Sequence, residues 1–242
     1  MKTIKLGLLF CFVLAASTGL RAQSVDEIVN KHIEAIGGKD KLNSIKTVYV
    51  ESTVEVMGNE ASSVTSIING KGLKSETDFN GQKIIQCVTD KGGWGINPMM
   101  GQTVAEPMTP EMLRGTQSQF QIGGPLLDYA AKGNKVELQG QEDADSVKKA
   151  YKLKVTTKDS AEVTYYIDPA TYYIVKAVNT LNSNGQTVET AVGFSNYKKT
   201  DFGYVVAMNQ AISLPQGLTL NITNKKIEIN KDIDPKIFDM PK

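Results

Sequence analysis

The feature that most constrains this chain is a period of two that recurs along most of its length. In 48–56, Val48, Val50, Val54 and Val56 share one face, while Tyr49, Glu51, Thr53 and Glu55 share the other. Comparable runs follow near 62–69, 72–79 and 82–89. After an interruption they resume near 134–140, 147–157, 161–168, 172–181, 186–197, 203–213 and 217–229. Turn signals punctuate them: Gly58-Asn59-Glu60, Asn69-Gly70, Asn80-Gly81, Asp168-Pro169 and Asn184-Gly185. Strands at this even spacing imply a mainly β, mostly antiparallel sheet bent into a sandwich or half-barrel, not alternating βαβ units.

Only the start of the chain has a clear helical period. Ser24-Val25-Asp26-Glu27 reads as a capping box, with the Ser24 side chain on the Glu27 amide and Glu27 reaching back. Val25, Ile28, Val29, His32, Ile33 and Ile36 then fall on one face, and Gly37-Gly38 ends the helix. Such an amphipathic helix must lie on something apolar. Lys39 to Ser44 reads as a turn or a short second helix. From Pro98 to Gly133 alternation is lost and prolines 98, 107, 110 and 125 break strands. Helical pieces are expected over Met112 to Gln121 and Leu126 to Lys132, with Pro110 in a first turn. Gly92-Gly93-Trp94-Gly95 suggests a tight hairpin beside a bulky indole rather than a phosphate cradle, since no Lys-Ser/Thr follows.

Ahead of that helix, Lys2 and Lys5 precede an apolar run from Leu6 to Ala16 and a small-residue stretch to Ala22. This is the pattern of a cleaved secretory signal, too short for a membrane anchor. The expectation is a signal peptide over 1–22 and a single domain over 23–242, exported to the periplasm and monomeric. Cys11 falls within the signal, which leaves Cys87 without a disulfide partner and reads it as a buried small hydrophobe. With 27 Lys and Arg against 26 Asp and Glu, the chain has no basic field to hold nucleic acid.

The chemistry-bearing residues are sparse. His32 is the one histidine, and it lies on the apolar side of its helix. One His and one mature Cys make no metal cluster, and no Gly-x-Ser-x-Gly elbow is present. Glu142, Asp143 and Asp145 cluster in a polar stretch without the spacing of a calcium loop, which reads as a solvated turn. No catalytic residue, metal or cofactor is therefore expected, and the chain reads as a binding protein rather than an enzyme.

The interrupted middle carries the positive signal. Met99, Met100, Met108 and Met112 fall close together, preceded by Trp94 and followed by Leu113, Phe120, Ile122, Leu126 and Leu127. Methionine adapts to varied apolar partners, so an irregular, Met-rich segment within a β shell suggests the lining or lid of an apolar cavity. Arg114, the one arginine after position 21, is placed to latch such a lid or meet an anionic head group.

Several segments in order resemble the LolA/LolB-like family of outer-membrane lipoprotein-sorting proteins. They are Ala35-Ile36-Gly37-Gly38, Gly93-Trp94-Gly95-Ile96-Asn97-Pro98, Tyr165-Tyr166-Ile167-Asp168-Pro169, Phe194-Ser195-Asn196-Tyr197 and Ile237-Phe238-Asp239-Met240-Pro241. The resemblance covers most of the chain after the signal. It implies a curved antiparallel sheet forming an unclosed barrel, with an N-terminal helix and mid-chain helices over its open side. It also implies an apolar cavity for lipoprotein acyl chains or other lipids, with inner- and outer-membrane sorting machinery as partners. The family's early-strand arginine has no counterpart here, because no arginine lies between Arg21 and Arg114. A non-enzymatic scaffold of the cell envelope on the same fold is the alternative.

Overall fold

The computed structural model describes residues 23–241 except 114–115, 146, 184–185 and 215–216; of residues 117, 181–183 and 186 only the backbone is described. The signal segment, Arg114 and the Asn184-Gly185 turn lie outside the described residues. The first six strands are β1 (Thr47–Val56), β2 (Asn59–Ile68), β3 (Gly72–Phe79), β4 (Gln82–Thr89), β5 (Gly92–Asn97) and β6 (Gln102–Pro107). After a long connection come β7 (Lys135–Ala144), β8 (Val147–Thr156), β9 (Glu162–Ile167) and β10 (Ile174–Ser183). The series ends with β11 (Gln186–Lys199), β12 (Val205–Ser213) and β13 (Thr219–Ile229).

All thirteen form one antiparallel sheet in the order β6-β5-β4-β3-β2-β1-β13-β12-β11-β10-β9-β8-β7. Two meanders are thus joined where β1 pairs with β13, Val48 opposite Ile229 and Val54 opposite Ile222. The chain enters and leaves at the middle of the sheet. Its two edges, β6 and β7, are consecutive in sequence, so the connection between them must cross the open side. The topology itself supplies a cover.

Eleven of the strands lie within a few residues of their expected places. Those at 72–79 and 82–89 coincide with β3 and β4. Sequence reasoning missed β5 and β6. β5 is short and glycine-rich, and β6 is an edge strand with most of its side chains exposed, so neither alternates visibly. Conversely, the helices expected over 112–121 and 126–132 shrink to a single turn, α3 (Pro110–Leu113), and a 3-10 helix over Thr116–Phe120. Residues 122–133 are successive turns, with Gly123, Gly124 and Asp128 in the left-handed region, which no regular helix accommodates. The Asn80-Gly81 turn is formed as its sequence suggests, both residues having positive φ, whereas the turn expected over Gly58-Asn59-Glu60 falls one residue earlier, on Met57 and Gly58, with Asn59 and Glu60 already in β2.

Helix α1 (Val25–Ala35) begins with Ser24 Oγ accepting from Glu27 N at 3.1 Å. The capping box is only half made, because Glu27 Oε1 turns outward to Lys31 Nζ at 2.8 Å. Gly37 and Gly38, at φ +136° and +85°, turn the chain into α2 (Lys39–Ser44), and Ile36 O accepts from Val205 N at 3.0 Å. Ile28, Val29 and Ile33 of α1, with Ile36 after it, are buried against Leu42, Ile45, Val48, Leu153, Val155 and Ile167. Removing such side chains from water contributes about 1.5–3 kcal/mol each, which seats the helix on the inner face of the sheet.

Candidate functional site

The register gives each strand an inner face, toward α1, and an outer face. Charge lies outside: Lys74 pairs with Glu76 at 3.0 Å, Lys152 with Glu142 at 2.8 Å and Lys154 with Glu162 at 2.8 Å. Glu142 and Asp143 of the acidic cluster are exposed and paired with lysines as a solvated stretch would be, but they lie in β7 rather than in a turn. Along β1 the inward residues are Val48, Val50, Ser52, Val54 and Val56, and their neighbours on β2 are Ile67, Thr65, Ser63, Ala61 and Asn59. Two hollows lie along this inner face.

The first is a cavity of ≈ 330 Å³ beneath α1. Val48, Val50, Ile67 and Ile227 form its floor, His32 and Ile36 its helical wall, and residues 119–126 close it from the crossing connection. That closing segment is held by the sheet's own turn. Asn69 Oδ1 accepts from Ile122 N at 3.0 Å, and Phe120 O accepts from Gly70 N at 2.9 Å. Asn69 Nδ2 in turn donates to Ile45 O at 2.9 Å, which ties the cover to the junction before β1. Farther along, Asn134 Nδ2 donates to Pro125 O at 2.9 Å.

The second hollow is an apolar trough of ≈ 870 Å³ at the opposite end of β1. Val54, Val56, Phe79, Ile84 and Leu220 line its sheet side, and Met57, Met99, Leu214 and Leu218 stand at its rim. Its size falls within the range of about 300–1,000 Å³ common to small-molecule sites. Among the described residues, neither hollow is lined by an Asp, Glu, Lys or Arg.

Of the ten residues singled out in the sequence, Arg114 lies outside the described residues and the other nine are dispersed by the fold. Met99 lines the trough, and Leu126 lines the inner cavity. Leu127 and Phe120 are buried in the covering segment. Met108 and Leu113 rest on β5, where an added Cβ at Gly93 would come within 2.9 Å of Met108 Sδ and of Leu113 Cδ2. Met100 and Met112 are 82% and 60% exposed, so neither roofs a cavity. Trp94 lies on the outer face beside Cys87, where its Nε1 donates to Phe238 O at 2.8 Å and Lys74 Nζ stands 5.7 Å from its ring. The residues that sequence reasoning missed are the inward strand positions, such as Val54, Ile84 and Leu220. Their alternation was legible, but which ones border empty space was not.

His32 is buried, with Nδ1 2.8 Å from Tyr172 O. The carbonyl can only accept, so Nδ1 carries the proton. Burial pushes its pKa below the usual 6.5, which keeps the ring neutral. Burial likewise raises the phenols of Tyr165, Tyr197 and Tyr204 around the inner cavity. It pushes the Cys87 thiol up to about 11. No proton donor or acceptor is poised near neutrality by these shifts. No group of three or more His, Cys, Asp or Glu able to hold a metal occurs among the described residues. Nor is any described helix long and apolar enough to cross a membrane.

No protein-family model matches this sequence, and no curated protein matches it. Solved structures do match its fold. A LolA superfamily protein from Nitrosomonas europaea superposes with a TM-score of 0.58 at 13% identity, over 90% of this chain and 98% of its own. A DUF1329 family protein from Desulfovibrio piger gives 0.57 at 15% identity, over 90% and 98%. A domain provisionally assigned to outer-membrane lipoprotein sorting in Vibrio parahaemolyticus gives 0.56 at 14% identity, over 88% and 94%. The chain therefore has the LolA-like fold, an antiparallel sheet that does not close into a barrel.

Proposed function

We propose that this chain is an exported, non-enzymatic carrier that holds the acyl chains of lipoproteins or other lipids for transfer across the periplasm to the outer membrane. The observation that carries this reading is the apolar trough on the inner face of the sheet, with no Asp, Glu, Lys or Arg lining it among the described residues. An acyl chain gains about 0.8 kcal/mol per CH₂ removed from water. A chain of about 15 methylenes thus brings roughly 12 kcal/mol, which shape and area alone can supply without any specific polar contact. The likeness in fold to a lipoprotein-sorting domain supports the same reading. The ligand-contacting residues on this view are Met99 and Leu126, with Val54, Ile84 and Leu220 added from the structure. Met108, Leu113, Phe120 and Leu127 support the cover and its anchorage.

Delivery to and from membrane-bound sorting machinery requires a docking surface. Met57, Met99 and Met100, all exposed, stand at the trough's end of the molecule and suit that role. The scaffold alternative would use the same methionines without a bound lipid. Protein comprising residues 23–242, purified from a bacterial envelope, should carry lipid in native mass spectrometry. Val54→Asp or Leu220→Asp should abolish that lipid while the far-ultraviolet circular dichroism stays unchanged. Lipid-free wild-type protein that takes up no acyl ester from vesicles would overturn the proposal.

A further inference from the structure

We infer that the inner cavity is a second binding site, distinct from the trough, for a neutral ring that carries a hydroxyl: a phenol-class ligand whose O–H donates to His32 Nε2. The inference does not depend on what the trough holds. It begins with polar atoms that the cavity lining leaves without a protein partner. His32 is 4% exposed and lines the cavity from α1. Its Nδ1 proton goes to Tyr172 O, which leaves Nε2 a bare acceptor. Tyr165 and Tyr204 line the same cavity, and burial alone raises their phenols. Among the described residues, no group bonds His32 Nε2 or either phenol oxygen. The polar side-chain atoms sealed from solvent without a partner are, among those residues, Gln23 Oε1 and Asn97 Oδ1. His32 Nε2 and the two phenol oxygens are not so sealed, and they border the open space of the cavity.

The rest of the lining sets the shape. Val48, Val50, Ile67 and Ile227 make one apolar floor, and Phe194 and Tyr197 of β11 add aromatic sides. Tyr197 is held in place: its hydroxyl donates to Ile174 O, and Tyr173 stacks on its ring with centroids 4.4 Å apart. The cavity measures ≈ 330 Å³, whereas an apolar cavity of about 150 Å³ already holds benzene. One ring with a substituent therefore fits. Gln119, exposed and yet part of the lining, marks the mouth.

Chemistry selects among ligands of that size. A bare acyl chain would strip His32 and the two phenols of water and return no hydrogen bond, which incurs their full desolvation cost. A sugar would press several of its hydroxyls against the apolar floor, where nothing bonds them. A phenol lays the apolar face of its ring on that floor and presents its polar group at one edge. Its O–H is the donor that Nε2 lacks, and its oxygen can accept from Tyr165 or Tyr204. On this inference Leu126 meets the ring, and acyl chains keep to the trough.

The test titrates para-propylphenol and propylbenzene into wild-type protein at about pH 7.5, where a phenol keeps its proton. Calorimetry gives the two affinities, and NMR follows the imidazole nitrogens of His32, the one histidine of the chain. The phenol should bind at least ~10-fold more tightly than the hydrocarbon, through two added hydrogen bonds, and should shift the Nε2 resonance. Tyr165→Phe should weaken phenol binding about three- to tenfold and leave propylbenzene binding unchanged. Should that variant fold poorly, Tyr204→Phe is measured instead, with the same expectation. Equal affinity of wild-type protein for the two ligands, or phenol binding that leaves the His32 resonances in place, overturns the inference. Binding of neither overturns it as well. The carrier reading stands or falls separately, on uptake of acyl esters.

Discussion

Gly93 tests how the crossing connection is anchored. It sits on the inner face of β5, opposite Val88, with no side chain, and the segment from Met108 to Leu113 occupies the space a side chain would take. In Gly93→Ala the new Cβ would lie 2.8 Å from Cys87 O, 2.9 Å from Met108 Sδ and 2.9 Å from Leu113 Cδ2, where ordinary contact begins near 3.4 Å. The two side-chain ends must therefore each retreat by about half an ångström, and the Cys87 carbonyl, being backbone, can only move with its strand. Overpacking of this kind costs about 1–3 kcal/mol. For a chain of this size each kcal/mol lowers Tm by about 2–4 °C, so the melting point should fall by about 2–12 °C. A double-mutant cycle with Leu113→Ala isolates the part that matters. The Cys87 contact is present in both alanine-93 proteins and cancels, while the Leu113 clash is present in only one. The cycle should show at least ~0.5 kcal/mol of coupling, with Gly93→Ala less costly once Leu113 is trimmed. Strict additivity in urea or thermal unfolding would refute the idea that this segment is seated on a glycine floor.

Two further outcomes follow from buried groups. The buried, neutral His32 takes up a proton less readily in the folded chain than in the unfolded one, so the unfolded state binds more protons below about pH 6.5. Stability should therefore decrease as pH falls through 6.5, and the Tm-versus-pH slope should be steeper for wild type than for His32→Gln; identical slopes would remove His32 as the cause. Cys87, fully buried, and Trp94 both bond Phe238 O, at 3.5 Å and 2.8 Å respectively. Truncation before Pro235 should expose the thiol to a disulfide reagent and shift the tryptophan emission to the red; an unreactive thiol in the truncated, folded protein would show that the C-terminal turn is not its cover.

The alternation of Val48, Val50, Val54 and Val56 and the turn signals between runs were enough to set eleven strands and a mainly antiparallel sheet, because side-chain period and turn chemistry are local properties. The face of α1 could be read from Ile28, Val29, Ile33 and Ile36 for the same reason. What lay beyond local pattern was which strands become neighbours. Pairing β1 with β13 puts β6 and β7 at opposite edges, so the connection between them has to cross the open side, where residues 121–126 line the inner cavity. Methionine-rich composition suggested a cover but misassigned its members. Met112 faces solvent and Trp94 the outer face, while Ile122 and Leu126 line the cavity, because burial depends on the route the chain takes through space. Empty volume is likewise a property of the packed whole: Val54 and Leu220 are far apart in sequence, and only the closure of two meanders into one sheet leaves a trough between them.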